Sequence, residues 1–250
     1  MKSGMTSVTF RNKTIKDIVS ITKNSGLDVI EWGGDVHCPP DNKEALKEAH
    51  EETKNAGLKI SSYGSYFRLG VSDVLDFRKI CEAAKALKTD TVRIWAYNKA
   101  PEEASAEEYD FCVTQAREIS DIAKGYGITV CFEYHRGTLT LSAASAVKLI
   151  NDIDRNNMRL YWQPNPDITH EENCKELLQV LPYVVNIHCF HWINTPEKSN
   201  LRRPLSNGKT EWEHYLEIAK DKVKNIILEF TAEDNDDNFS NDAKTLISLL

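Results

Sequence analysis

Two glutamates stand where glutamates are seldom found. Glu133 lies inside the run CFEYH and Glu229 inside ILEF, each between large apolar residues. A carboxylate in such a setting is rarely buried without a counter-charge. A divalent cation would supply that charge to both, with His188 of NIHCFHW offering a ring nitrogen and Gln163 of LYWQPNP an amide oxygen. Three oxygens and one nitrogen suit manganese, magnesium or cobalt, with zinc as a further candidate. Each residue also has a plainer explanation. Glu133 could pair with Arg93 of VRIW, Glu229 with a lysine near the rim, and His188 could be a satisfied core histidine. What favours a joint site is that the four come from four consecutive apolar runs.

Those runs belong to a repeating unit. Eight short segments rich in β-branched and aromatic residues are predicted as strands: Ser3–Thr9, Val29–Trp32, Lys59–Tyr63, Thr91–Trp95, Thr129–Tyr134, Met158–Gln163, Val184–Cys189 and Asn225–Phe230. Between them lie amphipathic segments such as Lys13–Asn24 and Ala106–Tyr126, the latter opening with acidic residues that suit a helix N-terminus. The turns NSGLDV and NAGLKI are near-copies one unit apart. Runs such as VIEW and VRIW lack strict alternation, as expected of parallel strands buried on both faces. Eight β/α units in 250 residues predict a (β/α)8 TIM barrel, an α/β fold filling residues 1–250 as one domain. An open doubly wound sheet is the alternative, but the Gly-rich phosphate loop it often carries is missing. In a barrel the active face lies at the C-terminal ends of the strands. Glu133, Gln163, His188 and Glu229 all fall at or near such ends.

Other residues at that face could handle a substrate. Trp32, Trp95, Trp162 and Trp192 could stack on a sugar ring or carbon chain, or pack the barrel mouth. His37 and His135 could bond hydroxyls, and Arg93, Asn165 and His191 end strands on the same side. The segment from Asn194 to Glu211 is long enough for a lid, and its Lys198, Arg202 and Arg203 could hold an anionic group. His50, His170 and His214 are expected at the surface, and Cys131 and Cys189 in the core.

Composition removes several classes. Lys and Arg number 31 against 38 Asp and Glu, a formal charge of −7, and no basic block is present. That argues against nucleic acid or an anionic membrane as partner. No run approaches the roughly 18 apolar residues of a membrane span. The opening MKSGMTSVTF has no apolar signal core. The 6 cysteines show no CxxC spacing, so reduced thiols and a cytoplasmic location are expected. The acidic stretch 233–238 is expected to be a turn or loop.

At IEWGGDVH, CFEYHRGTLT, LYWQPNP, NIHCFHW, RRPLSNGKTEW and ILEF the chain resembles the xylose isomerase-like TIM barrels. This sugar phosphate isomerase/epimerase superfamily includes ketose 3-epimerases, inosose dehydratases, hydroxypyruvate isomerases and endonuclease IV, and the likeness runs along nearly the whole chain. In its ketose epimerases the metal ligands are Glu, Asp, His and Glu, which the resemblance places on Glu133, Gln163, His188 and Glu229. Gln163 departs from the pattern: an amide oxygen can coordinate, but a charge is lost. His191-Trp192 also stands where many relatives carry Lys-Asp. The resemblance implies a metal-dependent isomerase or epimerase acting on a small carbohydrate or sugar phosphate. Glu133 and Glu229 would pass a proton through an enediolate, while Arg93, His37 and His135 orient hydroxyls. The oligomeric state stays open, a homo-oligomer being one option since relatives often pair through barrel helices. Two alternatives stay open: a dehydratase of a hydroxy-keto or inosose-type substrate, and a non-catalytic sugar-binding barrel whose metal site is degraded at Gln163. A nuclease fits poorly, because the resemblance would then demand a histidine-rich three-zinc cluster.

Overall fold

The computed structural model describes residues 1–250. Strands β1 (Lys2–Thr6), β2 (Val29–Gly33), β3 (Lys59–Arg68), β4 (Thr91–Trp95), β5 (Thr129–Glu133), β6 (Met158–Trp162) and β7 (Val184–Cys189) pair in parallel in chain order. After β7 the chain forms a small antiparallel hairpin, β8 (His191–Ile193) with β9 (Leu201–Arg203). It then enters β10 (Asn225–Leu228), which pairs with both β7 and β1 and closes the barrel. Eight helices cover the outside: α1 (Ile15–Asn24), α2 (Lys43–Asn55), α3 (Phe77–Ala86), α4 (Ala106–Gly125), α5 (Ala143–Ile153), α6 (His170–Val180), α7 (Lys209–Ala219) and α8 (Asp236–Leu249). The fold is a (β/α)8 barrel.

Local sequence sets the helix ends. Thr14 with Asp17, Ser105 with Glu108 and Thr169 with Glu172 form reciprocal capping boxes that satisfy the free N–H groups of α1, α4 and α6. At the other end of α1, Gly26 takes φ +75°, a left-handed conformation that ends the helix before β2.

Alternation along each strand splits two environments. Ile30, Trp32, Val92, Ile94, Val130, Phe132, Leu160 and Trp162 point outward into the main apolar core beneath the helices. Inside the barrel only Cys131, Tyr161 and Ile227 form an apolar plug. Around it the interior is polar. Asn225 donates to Asn186 (2.8 Å), Asn186 to the Tyr161 hydroxyl (2.5 Å), Tyr161 to Ser62 (2.6 Å) and Ser62 to Glu31 (2.9 Å). Each member of this chain therefore has a partner, which keeps its desolvation cost low.

Three expectations need correction. The first strand stops at Thr6, because Ser7–Phe10 turn into a 3-10 helix whose Ser7 hydroxyl accepts the Gly33 N–H at 2.9 Å. Residues 194–211 are no irregular lid: they hold the end of the hairpin, a short 3-10 turn and the start of α7. The acidic stretch 233–238 already contains the start of α8, capped by Asn235 accepting from the Asn238 N–H.

Candidate active site

His188, at the end of β7, is fully buried and has two differently occupied nitrogens. Nε2 lies 3.3 Å from Glu31 in the middle of β2. Nδ1 faces Gln163 Oε1 at 3.1 Å, Glu229 Oε2 at 3.4 Å and Glu133 Oε1 at 4.0 Å. One nitrogen and three oxygens from β5, β7 and the residues just after β6 and β10 thus converge, and the Glu133, His188 and Glu229 donor atoms lie within 4.8 Å of one another. This donor set fits a divalent ion. Nδ1 would be the nitrogen offered to such an ion, and an Nε2–H donated to Glu31 would fix the tautomer, as outer carboxylates commonly do for ligand histidines.

Arg93, from β4, bridges two of the carboxylates. Its Nε donates to Glu31 at 3.1 Å and its Nη1 pairs with Glu133 Oε2. Burial alone would raise the Glu31 carboxyl, but the charges of Arg93 and His188 and the bonds from His188 and Ser62 outweigh it, so Glu31 is held well below the usual carboxylate range. Glu133 is likewise lowered against its burial, chiefly by Arg93. Glu229 has no such bond, and burial, reinforced by the charges of Glu133 and Glu31, raises it. Burial would lower His188, but Glu229 and Glu31 raise it instead. Three carboxylates against one guanidinium leave two negative charges, the complement of a divalent ion.

The space for Arg93 depends on Gly64 of β3. A Cβ there would lie 2.8 Å from Arg93 Nη2 and 3.1 Å from Glu31 Oε1. Gly64→Ala is therefore expected to cost about 1–3 kcal/mol of stability by overpacking. A melting curve checks it, and an unchanged midpoint would show that the pair has room to move.

The remaining sequence candidates divide. Trp95, His135 and Trp192 line the mouth above the cluster with Arg93, Glu133, Gln163 and Glu229. Trp95 stacks on His135 (5.1 Å, 17°) and carries the Arg68 guanidinium 3.8 Å over its ring. Trp32 is not at the mouth: it points outward, fully buried, and its Nε1 donates to Thr53 of α2 at 3.1 Å. Trp162 is buried outward against Tyr215 of α7. His37 is also withdrawn, buried beside Trp32 with Nε2 bonded to the Lys13 carbonyl at 3.0 Å. Asn165 and His191 line a neighbouring cavity. Arg203 is exposed opposite His191, whereas Arg202, one position earlier, pairs with Asp234 and lies over the Phe230 ring. Strand alternation sends consecutive arginines to opposite faces. Glu31 and Arg68 are the site residues sequence reasoning missed; the apolar run VIEW around Glu31 was the same signal that marked Glu133 and Glu229.

The xylose isomerase-like TIM barrel model matches residues 19–249. The chain belongs to that family. A 3-dehydroshikimate dehydratase from Bacillus anthracis is 25% identical over 206 residues, which cover 75% of this chain and 71% of that protein. A crystal structure described as the probable 3-DHS dehydratase AsbF, involved in petrobactin synthesis in Bacillus anthracis, superposes with a TM-score of 0.85 at 19% identity, covering 99% of both chains. A family protein from Mycobacterium smegmatis in complex with magnesium gives 0.74 at 16% identity, over 99% of this chain and 96% of that one. D-psicose 3-epimerase from Clostridium cellulolyticum H10 gives 0.72 at 12%, over 99% and 97%. Proteins of this fold thus include a dehydratase and an epimerase, and no helix of this chain is long and apolar enough to cross a membrane.

Proposed function

We propose that this protein is a metal-dependent dehydratase of a hydroxy-ketone: it removes a proton beside the carbonyl and expels the hydroxyl one carbon further on as water. The observation that carries this reading is the unequal state of the two glutamates. Glu133 has one oxygen paired with Arg93, and its other oxygen belongs to the ligand cluster. Glu229 keeps Oε1 free of hydrogen bonds and lines the mouth. Epimerisation needs a base on each face of the substrate, whereas elimination needs one base and one acid. Glu229 supplies the base. His135 lines the same mouth, with Nδ1 turned to the Arg136 carbonyl at 2.5 Å and Nε2 unengaged. It can hand a proton to the departing hydroxyl, so the carbon–hydrogen and carbon–oxygen bonds break and one water leaves. A divalent ion held by Glu133, Gln163, His188 and Glu229 would supply Lewis acidity for the substrate oxygens. The 25% identity to a 3-dehydroshikimate dehydratase supports the same class.

The isomerase reading expected from the sequence is second, because a proton shift along one face also needs only Glu229. One experiment separates them. Metal-loaded protein is incubated in deuterium oxide with 3-dehydroshikimate, inososes and ketoses, and the products are weighed. A product lighter by one water supports the dehydratase. Deuterium uptake without water loss selects isomerisation or epimerisation. Neither result would leave the non-catalytic barrel.

The role of position 163 has its own test. Gln163→Asp adds a third negative charge to the ligand set and is expected to tighten manganese at least tenfold in calorimetry. Equal affinity in parent and variant would remove residue 163 from the ligand set.

A further inference from the structure

The mouth over the cluster is small, about 210 Å³, below the roughly 300–1,000 Å³ usual for small-molecule sites. Beyond Trp192 lies a larger cavity of about 310 Å³, between the hairpin strand β8 and helices α6 and α7. A narrow space between them shares His135 and Gln163 with the mouth and Asn165 with the larger cavity. Trp192 lines all three.

The side cavity has its own chemistry. Glu211, in the first turn of α7, is half-buried there without an ion pair or a side-chain hydrogen bond. His191 is half-buried too, its ring seated on Gly208, where a Cβ would fall 2.2 Å from Nδ1. No lysine or arginine lines the space, whereas Arg11 and Arg93 line the mouth. A free carboxylate, an unbonded imidazole and the Asn165 amide, beside the half-buried Trp192, offer hydrogen bonds to hydroxyls and an indole ring to C–H groups. An uncharged polyhydroxylated ring matches that lining, and an anion does not.

We propose that this cavity is a second sugar subsite, so that the substrate is a hydroxy-ketone ring joined to a neutral sugar ring lying beyond Trp192. The reaction at the first ring rests on the proton-transfer reading above; the binding of the second ring does not.

The test measures binding of sucrose, trehalose, cellobiose and D-glucose to metal-loaded protein by saturation-transfer NMR. At least one disaccharide is expected to bind tenfold or more tightly than glucose. Glu211→Ala should weaken that disaccharide at least tenfold while leaving metal per chain unchanged. Equal binding of glucose and every disaccharide, no binding at all, or a preference that survives Glu211→Ala would overturn the subsite. A disaccharide preference in a protein that binds no metal and releases no water would sink the dehydratase reading alone.

Discussion

Glu229→Gln is expected to lower the rate of water loss by about 10²–10⁴-fold, the usual contribution of a positioned base. The amide keeps the shape and one coordinating oxygen, so metal per chain should fall much less than in Glu229→Ala. Stability should hold or rise, because burial already disfavours the ionised form of this carboxyl. A melting midpoint measured beside the rate separates loss of the base from loss of the fold. A variant that retains the parent rate within tenfold would move the base elsewhere, and His135 is then the group to replace.

Arg93→Met is expected to be the most destabilising single change in the barrel interior. The guanidinium is 4% exposed and is the cation shared by Glu31 and Glu133, which are 0% and 3% exposed. Breaking a buried pair typically costs about 3–5 kcal/mol, because the surviving charge is left uncompensated. At about 2–4 °C per kcal/mol for a chain of this size class, the melting midpoint should fall by roughly 6–20 °C. Two controls identify the cause. Adding Glu31→Gln should recover part of the loss, since the two residues are directly bonded. Saturating manganese should recover part as well, because a cation again faces Glu133. Loss without recovery in either control would mean that Arg93 acts through packing.

Much of the barrel was legible because parallel strands buried on both faces read as short apolar runs, and the loops between them carry cap residues with fixed chemistry. Thr14, Ser105 and Thr169 each stand three residues before the acid that completes the box. The direction of individual side chains was less legible. Trp32 and Trp95 both stand at strand ends, yet one faces Thr53 and the other the mouth. Period-two alternation decides this: Trp32 follows Ile30 to the outside, whereas Trp95 follows Arg93 to the inside. The polar interior was hidden for a different reason. Ser62, Asn186 and Asn225 are residue types common at surfaces, and only closure of the barrel brings them into one bonded chain. Glu31 and His188 are 157 positions apart, a pairing no local pattern can reveal.

That same span couples the site to the way the barrel opens. Strand β1 has β10 on one side and β2 on the other. Glu229 follows β10 and Glu31 lies in the middle of β2, and both meet His188 across the interior. An ion held there would bind Glu229 directly and reach Glu31 through His188, linking the two neighbours of β1 without touching β1 itself. Because it binds the closed barrel and not the opened one, it depopulates opening by the factor 1 + [L]/Kd. Amide protons along Lys2–Thr6 would then exchange with solvent more slowly as metal is added, making the first strand a distant gauge of occupancy.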